Sequence, residues 1–112
     1  MRGNVLRGES TGAARPKAYL VAQVAVHDAE AFAAYTAKVP GLVERFGGRY
    51  AVRGGATVLL DGDTPPSRTV IIEFPSLDAA TAFYDSPDYQ AILPLRLATA
   101  SGTVFLVEGV PC

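Results

Sequence analysis

Apolar and polar positions alternate with a period of two in several stretches of the chain, and recur at helical spacing between them. The densest stretch is Arg68–Phe74, RTVIIEF. Side chains along a strand point alternately to opposite faces. Thr69, Ile71 and Glu73 therefore share one face, and Arg68, Val70, Ile72 and Phe74 the other. Both faces are largely apolar, as in a strand covered on both sides. Lys17–Val26, KAYLVAQVAV, reads as an earlier strand. It sets Leu20, Ala22, Val24 and Val26 against Tyr19, Val21, Gln23 and Ala25, and Gln23, on an otherwise apolar face, is expected to be a buried polar group. Arg49–Leu60 reads as a strand interrupted at Gly54-Gly55, where paired glycines suggest a bulge or a close backbone approach. Thr103–Glu108, TVFLVE, reads as the last strand.

Helical spacing fills the gaps. Phe32, Tyr35, Val39, Leu42, Val43 and Phe46 recur at the period of one amphipathic helix after Asp28, a residue suited to capping its start. Pro40 should kink that helix or split it in two, and Gly47-Gly48 should close it. Ser76 is expected to cap a helix carrying Leu77, Ala80, Phe83 and Tyr84. Ser86-Pro87 signals a further start, followed by Tyr89, Ile92, Leu93, Arg96 and Leu97, with Pro94 as another kink.

Strand, helix, strand, strand, helix, strand is the split βαβ order of the ferredoxin-like fold. The expected class is α+β, βαββαβ with an antiparallel sheet and helices on one face. The other face then carries Tyr19, Val21, Ile71, Phe105 and Val107. An apolar bare face needs cover, and a second copy of the chain is the simplest cover. A homodimer is therefore expected. Residues 1–16 lack both periodicity and the apolar core of a signal peptide, and read as a flexible tail. Residues 17–110 form the domain.

Composition narrows the picture. The chain has 112 residues, enough for one domain, and 49% are hydrophobic. Net charge is −1 with no basic run, so nucleic acid is not an expected partner. No apolar run approaches the ~20 residues that span a membrane, and a cytoplasmic location is expected. The single Cys112 excludes an intrachain disulfide. With one His and one Cys far apart, only carboxylates remain for a metal, so neither metal nor cofactor is expected. No phosphate-loop or dinucleotide motif is present.

The strings AYLVAQVAVHD, GGRYAVRGG, RTVIIEFPS, FYDSPDYQ, the later Arg96 and the closing VEG resemble an uncharacterised bacterial family. It is domain-of-unknown-function family 1330, within the dimeric α/β-barrel superfamily. The resemblance covers Lys17–Gly109 and implies a ferredoxin-like protomer pairing sheet to sheet as a dimeric barrel. It implies no established activity. Relatives in the wider superfamily include cofactor-free monooxygenases, haem-dependent enzymes, muconolactone-type isomerases and stress-responsive proteins, and a shared fold does not transfer their chemistry.

Two constellations carry candidate chemistry. Glu73 lies in an apolar pattern, where a carboxylate is costly unless paired. The expected partner is Arg53 from the neighbouring strand, with Arg68 or Arg96 behind it. Glu73 then acts as an anchored base with Arg53 binding an anion, or the two form a structural ion pair that fixes the dimer. The second constellation is Tyr84, Asp85, Ser86, Tyr89 and Arg96. Ser86 and Asp85 read as caps; Tyr84 and Tyr89 read as packed rings with a polar edge. Functionally, Tyr84 supplies a proton-transfer group, while Tyr89, Arg96 and Arg68 suit a small anionic or enolic ligand. His27, the only histidine, is a surface turn residue or a base. The chain thus reads as a cofactor-independent enzyme using acid/base chemistry on a small, partly apolar metabolite, in the manner of an isomerase, lyase or monooxygenase. The competing reading is a non-catalytic ligand-binding or stress-response dimer.

Overall fold

The structure, a computed structural model, describes residues 15–111. Most of the expected tail, residues 1–14, and Cys112 lie outside the described residues. The elements run β1 (Ala18–Val26), α1 (Ala29–Thr36), α2 (Val39–Arg45), β2 (Arg49–Arg53), β3 (Arg68–Phe74), α3 (Leu77–Asp85), α4 (Pro87–Thr99) and β4 (Ala100–Glu108). The four strands form one antiparallel sheet in the order β2-β3-β1-β4. This is the expected α+β, ferredoxin-like arrangement.

Local chemistry explains the boundaries. The Asp28 carboxylate accepts from the Ala31 backbone N–H at 3.1 Å and starts α1. The apolar run after it splits rather than bends: α1 ends at Thr36, and Pro40 sits in the first turn of α2, where it costs no helical hydrogen bond. Ser86 caps in both directions. Its hydroxyl donates to the Phe83 carbonyl at 2.8 Å and accepts from the Tyr89 N–H at 3.2 Å, so α3 stops and α4 starts at one residue. The helix α4 continues through Pro94.

The core lies between the sheet and the helices. Ala18, Leu20, Val24, Ile72 and Phe74 are buried on the sheet side. Phe32, Val43, Phe83 and Tyr89 are buried on the helix side. Aromatic rings link the two layers: Phe83 lies 5.2 Å from Phe74 and 4.9 Å from Tyr89, in tilted pairs. Among the described residues no helix covers the opposite face of the sheet, and there Phe105 and Val107 each remain 45% exposed. Gln23, expected as a buried polar group, is exposed on that face, opposite Thr69 and Thr103.

The second strand departs from expectation in two ways. It ends at Arg53 rather than Leu60, because Gly54 turns the chain with a left-handed φ of 72°. The irregularity also lies earlier than the glycine pair. Arg49 opposes Glu73 and Tyr50 opposes Ile72, but Val52, not Ala51, opposes Ile71. Ala51 is the extra residue of a β-bulge. Every side chain beyond it changes face relative to strict alternation.

Candidate functional site

The bulge decides where the arginines go. Arg49 stays on the bare face and its Nε donates to Glu73 Oε2 at 3.1 Å. Lys17 Nζ reaches the same oxygen at 3.4 Å, and the Tyr19 hydroxyl reaches Oε1 at 3.5 Å. Glu73 thus has the basic partner its position demands, but that partner is Arg49, not Arg53. Burial alone would raise its pKa; Arg49 and Lys17 outweigh that and hold the carboxyl below its usual range.

Arg53 opposes Val70 and falls on the helix-covered face. There it joins Arg68 and Arg96 around a cavity of about 430 Å³ between the sheet and α1. Apolar side chains supply most of the wall, among them Ala22, Val24, Phe32, Val39 and Val70. Arg53 lies over the Tyr50 ring with its guanidinium carbon 4.3 Å from the centroid, and Arg68 lies 6.0 Å from the Phe32 centroid. Such stacking holds a guanidinium in place without neutralising it. Gly54 keeps the path of Arg68 open: a Cβ there would stand 3.0 Å from Arg68 Nε.

Tyrosines continue the polar side of the cavity inward. Tyr50 is half-buried; burial raises its pKa, opposed by Arg53 and Arg68. Tyr35, from α1, is buried and its hydroxyl lies 2.7 Å from that of Tyr89, from α4. Burial first, and then Tyr89, push the Tyr35 phenol well above its usual range, so it is a proton-bearing group at neutral pH. Arg96, one helical turn from the end of α4, is half-buried against these rings. Burial opposes its charge, but the phenols of Tyr89, Tyr35 and Tyr84 outweigh that and raise its pKa. Its Nε is buried without a hydrogen-bond partner.

The ion pairs divide the described arginines into two sets. Arg15 pairs with Asp78 at 3.1 Å, Arg45 with Asp88 at 2.7 Å, and Arg49 with Glu73 at 3.1 Å. Arg53, Arg68 and Arg96 have no carboxylate within ion-pair distance among the described residues, and all three line one cavity that no Asp or Glu lines. An array of this kind recognises anions: guanidinium forks match a carboxylate, and the apolar wall lowers the local dielectric.

Of the residues singled out from the sequence, the fold thus gathers Arg53, Arg68 and Arg96, with Tyr89 in contact with both Tyr35 and Arg96. It does not gather the rest. Glu73 lies on the bare sheet face. Tyr84 lines a separate hollow between α3 and β4, with Thr81, Asp85 and Phe105. His27 is exposed at the end of β1, where its backbone N–H donates to the Thr99 carbonyl at 2.9 Å. No sequence pattern marks Tyr50, and helical spacing marks Tyr35 only as a core residue. The signal for Tyr35 was an aromatic with a polar tip at a core position, which needs a partner. Among the described residues, no group of three or more His, Cys, Asp or Glu is placed to hold a metal ion, and no helix is long and apolar enough to cross a membrane.

Comparison with known proteins agrees with the fold. A protein of unknown function from Rhodopseudomonas palustris, RPA0582, superposes with a TM-score of 0.71 at 21% identity, covering 90% of this chain and 88% of its own. The methylated form of RPA0582 gives a TM-score of 0.71 at 20% identity, covering 88% and 84%. SnoaB, a cofactor-independent oxygenase from Streptomyces nogalater, gives 0.61 at 16% identity, covering 87% of this chain and 96% of its own. No curated protein matches the chain. Residues 17–110 match the family model "Domain of unknown function (DUF1330)", and the chain belongs to that family.

Proposed function

We propose that the protein is a homodimer in which each protomer binds a small, partly apolar, anionic or enolic molecule in the cavity between the sheet and α1. The observation that carries this reading is the division of the arginines. Among the described residues, three lining arginines lack a carboxylate partner, whereas Arg15, Arg45 and Arg49 each have one. Unpaired guanidinium groups beside an apolar wall need an anion of matching polarity. Support for the dimer comes from the bare sheet face, where Tyr19, Val21, Ile71, Phe105 and Val107 lie without a covering layer in the protomer.

Proton transfer on the bound molecule is the finer form of the proposal. It uses the groups within reach of the cavity: the phenols of Tyr35 and Tyr50 to deliver or relay a proton, and the arginines to stabilise an enolate as it forms. Glu73, Tyr84 and His27 serve this chemistry only if a second copy or a bound ligand brings them to it. SnoaB is named as a cofactor-independent oxygenase, which suits a site built from side chains, and its low identity lends the fold alone.

Thermal unfolding tests the binding reading with two probes of similar body. Phenylacetate should raise the Tm of the full chain, because a ligand that binds only the folded state stabilises it. Neutral 2-phenylethanol should not. Equal effects of the two, or none from either, would contradict the reading.

A further inference from the structure

We propose that the molecule bound in the cavity carries two oxygen functions on one edge, a carboxylate and a nearby keto, enol or hydroxyl group. Its class is that of partly apolar oxo or hydroxy carboxylic acids. The inference rests on the anion-binding reading above and narrows it.

The polar groups of the cavity form a graded series rather than a single cluster. Arg53 and Arg68 are exposed at the mouth. Tyr50 comes next, half-buried, beneath Arg53 and within the field of both arginines. Tyr35 follows, buried and bonded to Tyr89 at 2.7 Å. Arg96 joins Tyr35 from α4, half-buried against the tyrosine rings and lining the same cavity. The rest of the lining is apolar apart from Thr36.

A ligand with one carboxylate and a hydrocarbon body satisfies only one end of that series. Seated at the mouth, it leaves the half-buried charge of Arg96 without a counter-charge in the cavity. Seated on Arg96, it leaves the mouth arginines to water. An oxo or hydroxy acid answers both ends. Its carboxylate takes the forked donors of Arg53 and Arg68, and its second oxygen accepts from Arg96 and from the phenol array. In the enol form that oxygen also donates to a tyrosine hydroxyl, which has a free lone pair. The apolar remainder lies on Val24, Phe32 and Val70. A cavity of about 430 Å³ accommodates a body the size of a substituted phenyl ring with a three-carbon acid.

Calorimetric titration of the full chain with three probes of common body tests this. Phenylpyruvate carries both oxygen functions, phenylacetate only the carboxylate, and phenylacetone only the ketone. The expected order is phenylpyruvate tighter than phenylacetate by about tenfold, the factor a well-placed charged hydrogen bond supplies, with phenylacetone weakest. In Arg96→Met the advantage of phenylpyruvate over phenylacetate should vanish. Should Arg96→Met not fold, Arg96→Lys, which keeps the charge and removes the planar guanidinium fork, must still erase most of that advantage. Phenylpyruvate and phenylacetate binding equally, or an advantage that survives both Arg96 variants, would overturn the two-oxygen proposal and leave the anion site standing. Phenylacetone binding as tightly as the acids, or no binding by either acid, would overturn both.

Discussion

Arg49 and Arg53 belong to one five-residue strand and face opposite sides of the sheet. Strict alternation places both on one face with Ala51. The bulge at Ala51 separates them, sending Arg49 to Glu73 and Arg53 to the cavity. One extra residue in β2 thus divides the charge paired with Glu73 from the charge that lines the cavity. The Arg49–Glu73 pair therefore predicts a signature in acid. Arg49 and Lys17 hold the folded Glu73 carboxyl below its ordinary range, so it contributes stability that is fully present above its unfolded pKa. As pH falls through the lower folded pKa, the contribution disappears. Unfolding midpoints measured from neutral pH down through pH ~4 should fall for the native sequence, and fall less steeply for Glu73→Gln. Parallel curves would show that the pairing carries no stability.

The bond between the Tyr35 and Tyr89 hydroxyls ties α1 to α4 behind the cavity. Tyr35→Phe leaves the buried Tyr89 hydroxyl with one partner fewer and should cost about 1–3 kcal/mol in urea unfolding. The same residue predicts an alkaline limb. Its folded pKa lies above the unfolded value of 10.0, so its contribution is intact below that value and is lost as pH rises beyond it. Tyrosinate absorbance should then rise in step with loss of helical circular dichroism. A full tyrosinate signal from a still-folded protein would place Tyr35 in contact with water.

Much of this architecture was legible in the chain, for reasons that differ by element. Asp28, Ser76 and Ser86-Pro87 bond to their own neighbours, so their capping roles follow from short-range chemistry. Leu20, Val24, Ile72 and Phe74 fall on the core face because alternation fixes it. Arg53 was misplaced because a bulge inside β2 has no side-chain signature; Ala51 looks like any strand residue. The partner of Glu73 was right in kind and wrong in number for the same reason. Tyr50 and Tyr35 were passed over because their roles arise from the contact of β2, α1 and α4, which no local pattern encodes. Gln23 failed differently, since a polar residue on an apolar face reads as buried until the missing layer is known.

Glycine at position 54 predicts a coupled loss of stability and binding. Its φ of 72° is one that side chains with a Cβ adopt at a cost of about 1–2 kcal/mol. A Cβ there would also press on Arg68 at 3.0 Å. Gly54→Ala should lower the unfolding free energy by about that amount and weaken phenylacetate binding, with denaturant titration and calorimetry as readouts. Unchanged binding would show that Arg68 does not need its present path.

Gly102 predicts a stability effect without a binding one. It lies in β4 opposite Val24, and a Cβ there would collide with the Gln23 carbonyl oxygen of β1. Backbone is the obstacle, so relief requires the strands to part. Gly102→Ala should cost about 1–3 kcal/mol, read from urea unfolding, and leave the affinity for phenylacetate unchanged in the fraction that remains folded.

The central claim is that Arg53 and Arg68 serve a bound anion while Arg49 serves the protein's own carboxylate. Calorimetric titration of phenylacetate into three forms of the full chain measures it directly: native, Arg53→Met/Arg68→Met, and Arg49→Met. The account predicts a loss of tenfold or more, equivalent to at least ~1.4 kcal/mol, in the double variant, and native affinity in Arg49→Met. Equal affinities in the double variant and the native chain, or a matching loss in Arg49→Met, would contradict it.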